Sequence, residues 1–142
     1  MLTNEWSNSP VTSKSPSSNF FNSFLIKSNL VFTRVIDFCN YPLSESFIKE
    51  LHKILKTRTS DSRKSYFAVG DYKKLENEVG DIQTTPSHMV KLEIKKLINN
   101  YNEKEKHTFD EILDLHVKFE RIHPLQDGNG RIGRLIILKE CL

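Results

Sequence analysis

The stretch HPLQDGNGRIGR, residues 123–134, gathers three of the chain's five glycines with two arginines, an aspartate and a histidine. Core packing does not ask for that mixture. The regions on either side carry helical patterns, so the stretch reads as a loop opening into a helix N-terminus. Gly128 and Gly130 let backbone N–H groups converge on one point without a Cβ in the way. The helix start adds its own unpaired N–H groups and the positive end of its dipole, which together suit a phosphate. Arg131 and Arg134, three residues apart, share one face and can fork onto phosphate oxygens. Asp127 alone would repel phosphate. Beside a polyphosphate it suits Mg²⁺, which takes one or two carboxylates together with phosphate oxygens. His123, at the far end of the loop, is placed to take a proton from an attacking hydroxyl. A plain turn explains DGNG, but it does not explain two cations at the positive end of a helix dipole. No GK[ST] follows the glycines, which excludes a P-loop.

Working outward, Thr108 and Glu111 form a capping box, and the helix behind them carries Ile112, Leu113, His116 and Phe119 on one stripe as far as Ile122. On that stripe His116 is expected to be buried and hydrogen-bonded. Pro124 ends this helix and should push His123 towards an extended conformation. Another helix runs from about Asn129 to the chain end. Upstream, SESFIKELHKILKT (44–57) sets Phe47, Ile48, Leu51, Ile54 and Leu55 on a stripe behind an N-cap at Ser44, with His52 beside the stripe as a surface residue. Residues 57–65 are a polar loop. SYFAVGDYKKLENEVGDIQTT (65–85) has no helical period and reads as a projecting hairpin-like segment. Thr85-Pro86 opens a further helix with Val90, Ile94, Leu97, Ile98 and Tyr101 on its apolar face. Residues 20–41, which hold Phe20, Phe21, Phe24, Phe32 and Phe38, suggest one or two helices. Residues 1–19, rich in Ser, Asn, Thr and Pro, read as a disordered tail in which Trp6 has no assignable partner. The expected fold is all-α with one small β-hairpin.

The totals fit that outline. A chain of 142 residues suits one domain with a real core. With 37% hydrophobic and 27% charged residues and a mean hydropathy of −0.47, it has a globular composition. No apolar run approaches a membrane span. The opening MLTNEWSNSP lacks a secretory pattern, so the chain is read as cytoplasmic. Cys39 and Cys141 stand far apart without a CxxC, which argues against a disulfide framework or a zinc site and leaves them buried thiols or bystanders. The net charge of +3 is small and the lysines alternate with glutamates. This gives a solvated surface with no nucleic-acid or membrane partner. His88, His107, Lys73 and Lys74 are expected on that surface.

HPLQDGNGRIGR resembles the signature of the Fic (Fido-domain) family, written HPFx[DE]GNGRxxR. His123, Pro124, Asp127, Gly128, Asn129, Gly130, Arg131 and Arg134 all match. FDEILDLHVKFERI and LIILKECL look like the flanking helices. SESFIKELHKIL and VGDYKKLENEVG are similar to earlier parts of the domain, and the likeness covers roughly residues 42–142. The resemblance implies a Fic-like helical bundle and a nucleotidyltransferase that moves AMP from ATP onto a Ser, Thr or Tyr hydroxyl of a protein, with Mg²⁺. His123 would then be the general base and Asp127 the metal ligand. The backbone of 128–130 with Asn129 would cradle the α- and β-phosphates, and Arg131 and Arg134 would hold the β- and γ-phosphates, with Gly133 among the nucleotide-binding residues. Leu75, Val79, Gly80, Ile82 and Thr84 would form a flap that docks the target by strand addition.

The departures from the pattern carry expectations of their own. Leu125 replaces the usual Phe, a packing change that loosens the loop's anchor without removing a chemical group. Gly130 stands where the phosphate-transferring Doc branch carries Lys, which favours attack at the α-phosphorus. The family's inhibitory pattern [ST]xxxE[GN] finds no match, since Glu76-Asn77 is preceded by Tyr72 and not by Ser or Thr. Regulation would then come from a partner or from oligomerisation, and self-modification is expected. Only eight residues follow Arg134. This suggests a truncated member in which Leu135, Ile136, Ile137 and Leu138 are exposed. The alternative function is therefore an inactive remnant that binds nucleotide or a partner. Transfer of UMP or phosphocholine is a third reading.

Overall fold

The computed structural model describes residues 17–142 of the chain. Five helices, α1 (Ser17–Phe38), α2 (Glu45–Lys56), α3 (Val90–Tyr101), α4 (Phe109–Ile122) and α5 (Asn129–Cys141), pack around one core. A two-stranded antiparallel hairpin, β1 (Glu78–Val79) and β2 (Ile82–Gln83), pairs Val79 with Ile82 across a turn at Gly80, whose φ of 60° suits glycine. The all-helical expectation with one hairpin holds. Among the described residues no helix is long and apolar enough to cross a membrane.

Each helix follows from its local sequence. The Ser44 hydroxyl accepts from Phe47 N at 3.2 Å, and Phe47, Ile48 and Leu51 behind it are buried to 1% exposure or less. Each such side chain contributes roughly 1.5–3 kcal/mol on leaving water. α4 begins with the expected capping box, with both the Thr108 and the Glu111 bonds formed. Its buried stripe is Ile112, Leu115, Phe119 and Ile122, while Leu113 lies outward at 38% exposure. A period of 3.6 keeps 112, 115 and 119 in register and rotates 113 away. α3 starts at Val90 after a short 3₁₀ turn, Ser87–Met89, that follows Pro86.

The phenylalanine-rich region is one helix rather than two, and it starts at Ser17, so residues 17–19 belong to α1 and not to a tail. The rest of the expected tail, Trp6 included, lies outside the described residues. Among the described side chains of α1 only Val31 and Val35 are buried, whereas Phe20, Phe21, Phe24 and Phe32 are each at least half exposed. α1 packs across both α2 and α5. That contact corrects the expected exposure of 135–138: Ile136 is 2% exposed and Leu135, Ile137 and Leu138 are half-buried. His107, expected in solvent, stacks on Tyr101 with ring centroids 3.7 Å apart. Cys39 is half-buried and Cys141 exposed, both as free thiols. Replacing Thr108 by Ala should lower unfolding free energy by about 1 kcal/mol in chemical denaturation, because it removes the acceptor for Glu111 N.

Candidate active site

The loop between α4 and α5 starts with a reversal at His123. Its φ of 51° and ψ of 60° are left-handed, not extended as the following proline suggested. A residue before proline avoids the right-handed helical region. The left-handed cap does so too, and it also lets His123 N close the last helical bond to Phe119 O at 3.0 Å. The imidazole folds back over α4, where Nδ1 donates to Glu120 O at 3.3 Å with Glu120 Oε2 at 3.8 Å. With two acceptors against Nδ1, the proton belongs there and the lone pair is on Nε2, as a general base requires. Behind it Glu120 Oε1 and His116 Nδ1 are buried without a partner, so His116 lacks the expected hydrogen bond. A Cβ on Gly133 would come within 2.7 Å of both atoms. Gly133 is therefore the point where α5 closes on the residues behind His123.

The loop itself is pinned from inside. Leu125 is fully buried, its N donates to Asn129 Oδ1 and its O accepts from Asn129 Nδ2, both at 2.8 Å. The smaller side chain therefore does not loosen the anchor. The Asn129 side chain is 2% exposed and is engaged in shaping the loop around the backbone at 128–130. Gly128, at φ 93°, is the N-cap of α5, and no side chain caps the helix, which leaves its first N–H groups for a ligand. Arg131 and Arg134 are exposed on the first two turns, and a Cβ at Gly130 would lie 3.3 Å from Arg134 Nη1.

α2 supports the loop from below through two residues the sequence reading did not assign. His52, expected on the surface, is fully buried. Gly70 N donates to its Nδ1 at 3.0 Å, so the ring proton is on Nε2, which donates to Asp127 O at 3.1 Å. Burial holds its pKa below the ordinary 6.5, with Lys56 acting in the same sense, against the raising effect of the Asp127 carbonyl bond. Lys56, 4% exposed, bonds Asp61 Oδ2 at 2.9 Å and also pairs with Asp127 Oδ2. Ile48, His52 and Lys56 form one i, i+4 row, and that spacing was the available signal.

Burial alone would raise the Asp127 pKa, but Lys56 and then Arg131, 3.2 Å from Oδ2, outweigh it and hold the carboxyl below 3.8. Asp127 is thus a carboxylate with one oxygen engaged by cations, and Oδ1 makes no ion pair among the described residues. No cluster of three metal-ligating side chains occurs among them either. These residues fit a divalent ion held by one carboxylate, with phosphate oxygens and water supplying the other ligands.

The flap is tied to the same loop. Lys73 N donates to Pro124 O at 2.8 Å, Asn77 Nδ2 to Leu125 O at 3.0 Å, and Leu75 N to the Gln126 side chain at 3.1 Å. Lys73, expected in solvent, is 3% exposed, and its Nζ bonds Asn77 Oδ1 at 2.6 Å and Thr84 Oγ1 at 2.7 Å. Thr84 is thereby spent inside the flap. Leu75, Val79 and Ile82 are exposed, at 48%, 46% and 71%. So the tip projects as expected, and the base is docked through Lys73, Asn77 and Gln126, none of which was assigned from sequence.

The pattern of these elements matches a family model described as Fic/DOC family over residues 42–141. The chain belongs to the Fic/DOC family. It superimposes on a Fic domain containing signaling protein from Bacteroides thetaiotaomicron VPI-5482 with a TM-score of 0.66 and 28% identity, covering 84% of this chain and 45% of that one. A Fic family protein from Desulfovibrio desulfuricans G20 gives a TM-score of 0.66 at 21% identity, over 82% of this chain and 35% of that one. BepC, a VirB-translocated effector from Bartonella tribocorum with bound AMPPNP, shares the fold with a TM-score of 0.50 at 18% identity, over 84% and 67% of the two chains. This Fic chain spans less than half the length of the first two. No curated protein matches it. The resemblance had pointed to a missing inhibitory pattern. On α1, Ser23 and Lys27 have its spacing, with lysine where the pattern has glutamate.

Two outcomes test this arrangement. Because the folded state holds His52 neutral, the unfolded chain binds more protons below its ordinary pKa of 6.5. Wild-type stability should therefore fall as pH drops through that value, and the gap to His52→Phe should narrow from about pH 8 to about pH 5 in denaturant titrations. At pH 8 the variant should be roughly 1–3 kcal/mol less stable, since Gly70 N–H and the Asp127 carbonyl lose their partner.

Proposed function

We propose that this Fic-family chain transfers AMP from ATP to a hydroxyl of a protein. The observation that carries the reading is the imidazole of His123, its Nδ1 held by Glu120, beside an uncapped helix start flanked by Arg131 and Arg134. A base and an anion cradle at the two ends of one pinned loop suit attack by a hydroxyl on a bound phosphate.

In this reading His123 Nε2 takes the proton as the target oxygen bonds the α-phosphorus. The bond from that phosphorus to the bridging oxygen breaks, and pyrophosphate leaves. Glu120 faces the imidazolium that forms and stabilises its charge. The N–H groups at the start of α5 and the two arginines carry the charge that accumulates on the leaving diphosphate. Asp127 would hold Mg²⁺, which supplies further neutralisation of phosphate charge when bound. The exposed flap edge offers the target an extended partner, with Val79 and Ile82 as apolar contacts. Gly130 leaves the cradle without a Lys side chain, which supports attack at the α-phosphorus over transfer of the terminal phosphate.

Intact mass after incubation with Mg-ATP and a candidate target tests the reading. The expected result is a gain of one AMP on the target or on the chain itself, lost by at least about a hundredfold in His123→Ala. Nucleotide binding by that variant should stay near wild type. A gain of phosphate alone, or transfer that survives His123→Ala, would overturn the assignment. Gly133→Ala should slow transfer by displacing Glu120 and His116, with a smaller effect on nucleotide binding. Equal losses in both would count against that role for Gly133.

A further inference from the structure

A groove of about 730 Å³ runs between α1 and α5 and takes in the start of the loop after α2. Four cations line it, Lys27, Arg58, Arg131 and Arg134, and among the described residues no Asp or Glu does. Ser23, Ser28, Thr59 and Ser60 add hydroxyls on the same walls. Arg131 is partly compensated by Asp127. Lys27, Arg58 and Arg134 make no ion pair among the described residues. Lys27 Nζ donates only to a carbonyl, Thr57 O, at 2.6 Å, which steers the ammonium to the C-terminal end of α2 without neutralising it. Arg58 follows directly and has a left-handed φ of 59°, a conformation that costs a non-glycine residue stability. Like charges gathered at one wall repel each other, and a bound polyanion would relieve that repulsion.

The groove shares Arg131 and Arg134 with the anion site at the start of α5. The geometry points to a role for Lys27 and Arg58 as additional ligands for the terminal phosphates of a nucleoside triphosphate, extending the cradle from α5 onto α1 and the end of α2. This rests on the nucleotide reading above and deepens it. It makes α1, which lies outside the matched family region, part of the nucleotide site. It also gives the site a preference for triphosphate over monophosphate, because AMP has no group to reach these cations.

Titration calorimetry with a non-hydrolysable ATP analogue, inorganic tripolyphosphate and AMP, in the presence of Mg²⁺, tests the assignment. Lys27→Ala and Arg58→Gly should each weaken the analogue and tripolyphosphate by about tenfold and leave AMP binding unchanged. Arg58→Gly is the decisive variant. It removes the guanidinium while placing glycine at a positive φ, so its melting temperature should not fall, and lost affinity cannot be assigned to unfolding. If both variants bind the triphosphates as tightly as wild type, or lose AMP in the same proportion, the extended cradle is wrong. Should wild type transfer AMP while these variants bind normally, the inference falls and the proposed function stands. Should the variants lose triphosphate affinity while wild type transfers nothing, the cradle stands and the transferase reading falls. Failure of wild type to bind any of the three phosphates overturns both.

Discussion

A neutral imidazole buried under the loop holds the site together. His52 accepts from Gly70 N and donates to Asp127 O, so one ring joins α2, the chain leading to the flap, and the loop between α4 and α5. An imidazolium could not make both bonds, because it has no acceptor nitrogen. Burial keeps the ring neutral, and the neutral ring keeps the loop in place. Beside it the buried ammonium of Lys56 is balanced by Asp127 and Asp61, since a buried charge without a partner would be costly. The functional loop is thus set by what lies beneath it as much as by its own residues.

The same economy governs the flap. Two strands of two residues each cannot hold a hairpin alone. Lys73 and Asn77 anchor it to the Pro124 and Leu125 carbonyls, and Gln126 reaches from the loop to Leu75 N. The exposed edge therefore sits at a set position relative to His123, with Val79 and Ile82 at its tip in solvent. Lys73 illustrates the energetics: burial lowers its pKa, with Glu76 opposing, and its remaining hydrogen-bonding capacity goes to Asn77 and Thr84. It is a structural lysine in a position where composition suggested a solvated one.

α1 is the least typical part of the molecule. Its inner residues Val31 and Val35 join the core, yet much of its phenylalanine surface is exposed, and Phe20, Phe24 and Phe32 line the groove next to Arg134 together with Ser23 and Lys27. A helix with apolar residues on so much of its circumference has no single stripe to read, which explains why its extent was not legible from periodicity.

Local rules determined a good deal by themselves. The Ser44 cap, the Thr108 capping box, the apolar stripes of α2 and α4, the left-handed glycines at 80 and 128, and the loop opening into α5 all depend on interactions within a few residues, so the sequence determines them. The unusual make-up of the loop was equally legible, because histidine, aspartate, glycines and arginines stand together between two helical patterns. What only the tertiary structure decided is which polar side chain faces which element. His52, Lys56, Lys73, Gln126 and Glu120 act on partners far along the chain or across a helix end, as in the 75-residue separation of His52 from Asp127. Asn129 and Gly133, inside the motif itself, turned out to shape and pack the loop. A one-dimensional pattern records that a polar residue is present. Whether it meets water, a carbonyl or a phosphate depends on the burial that long-range packing imposes.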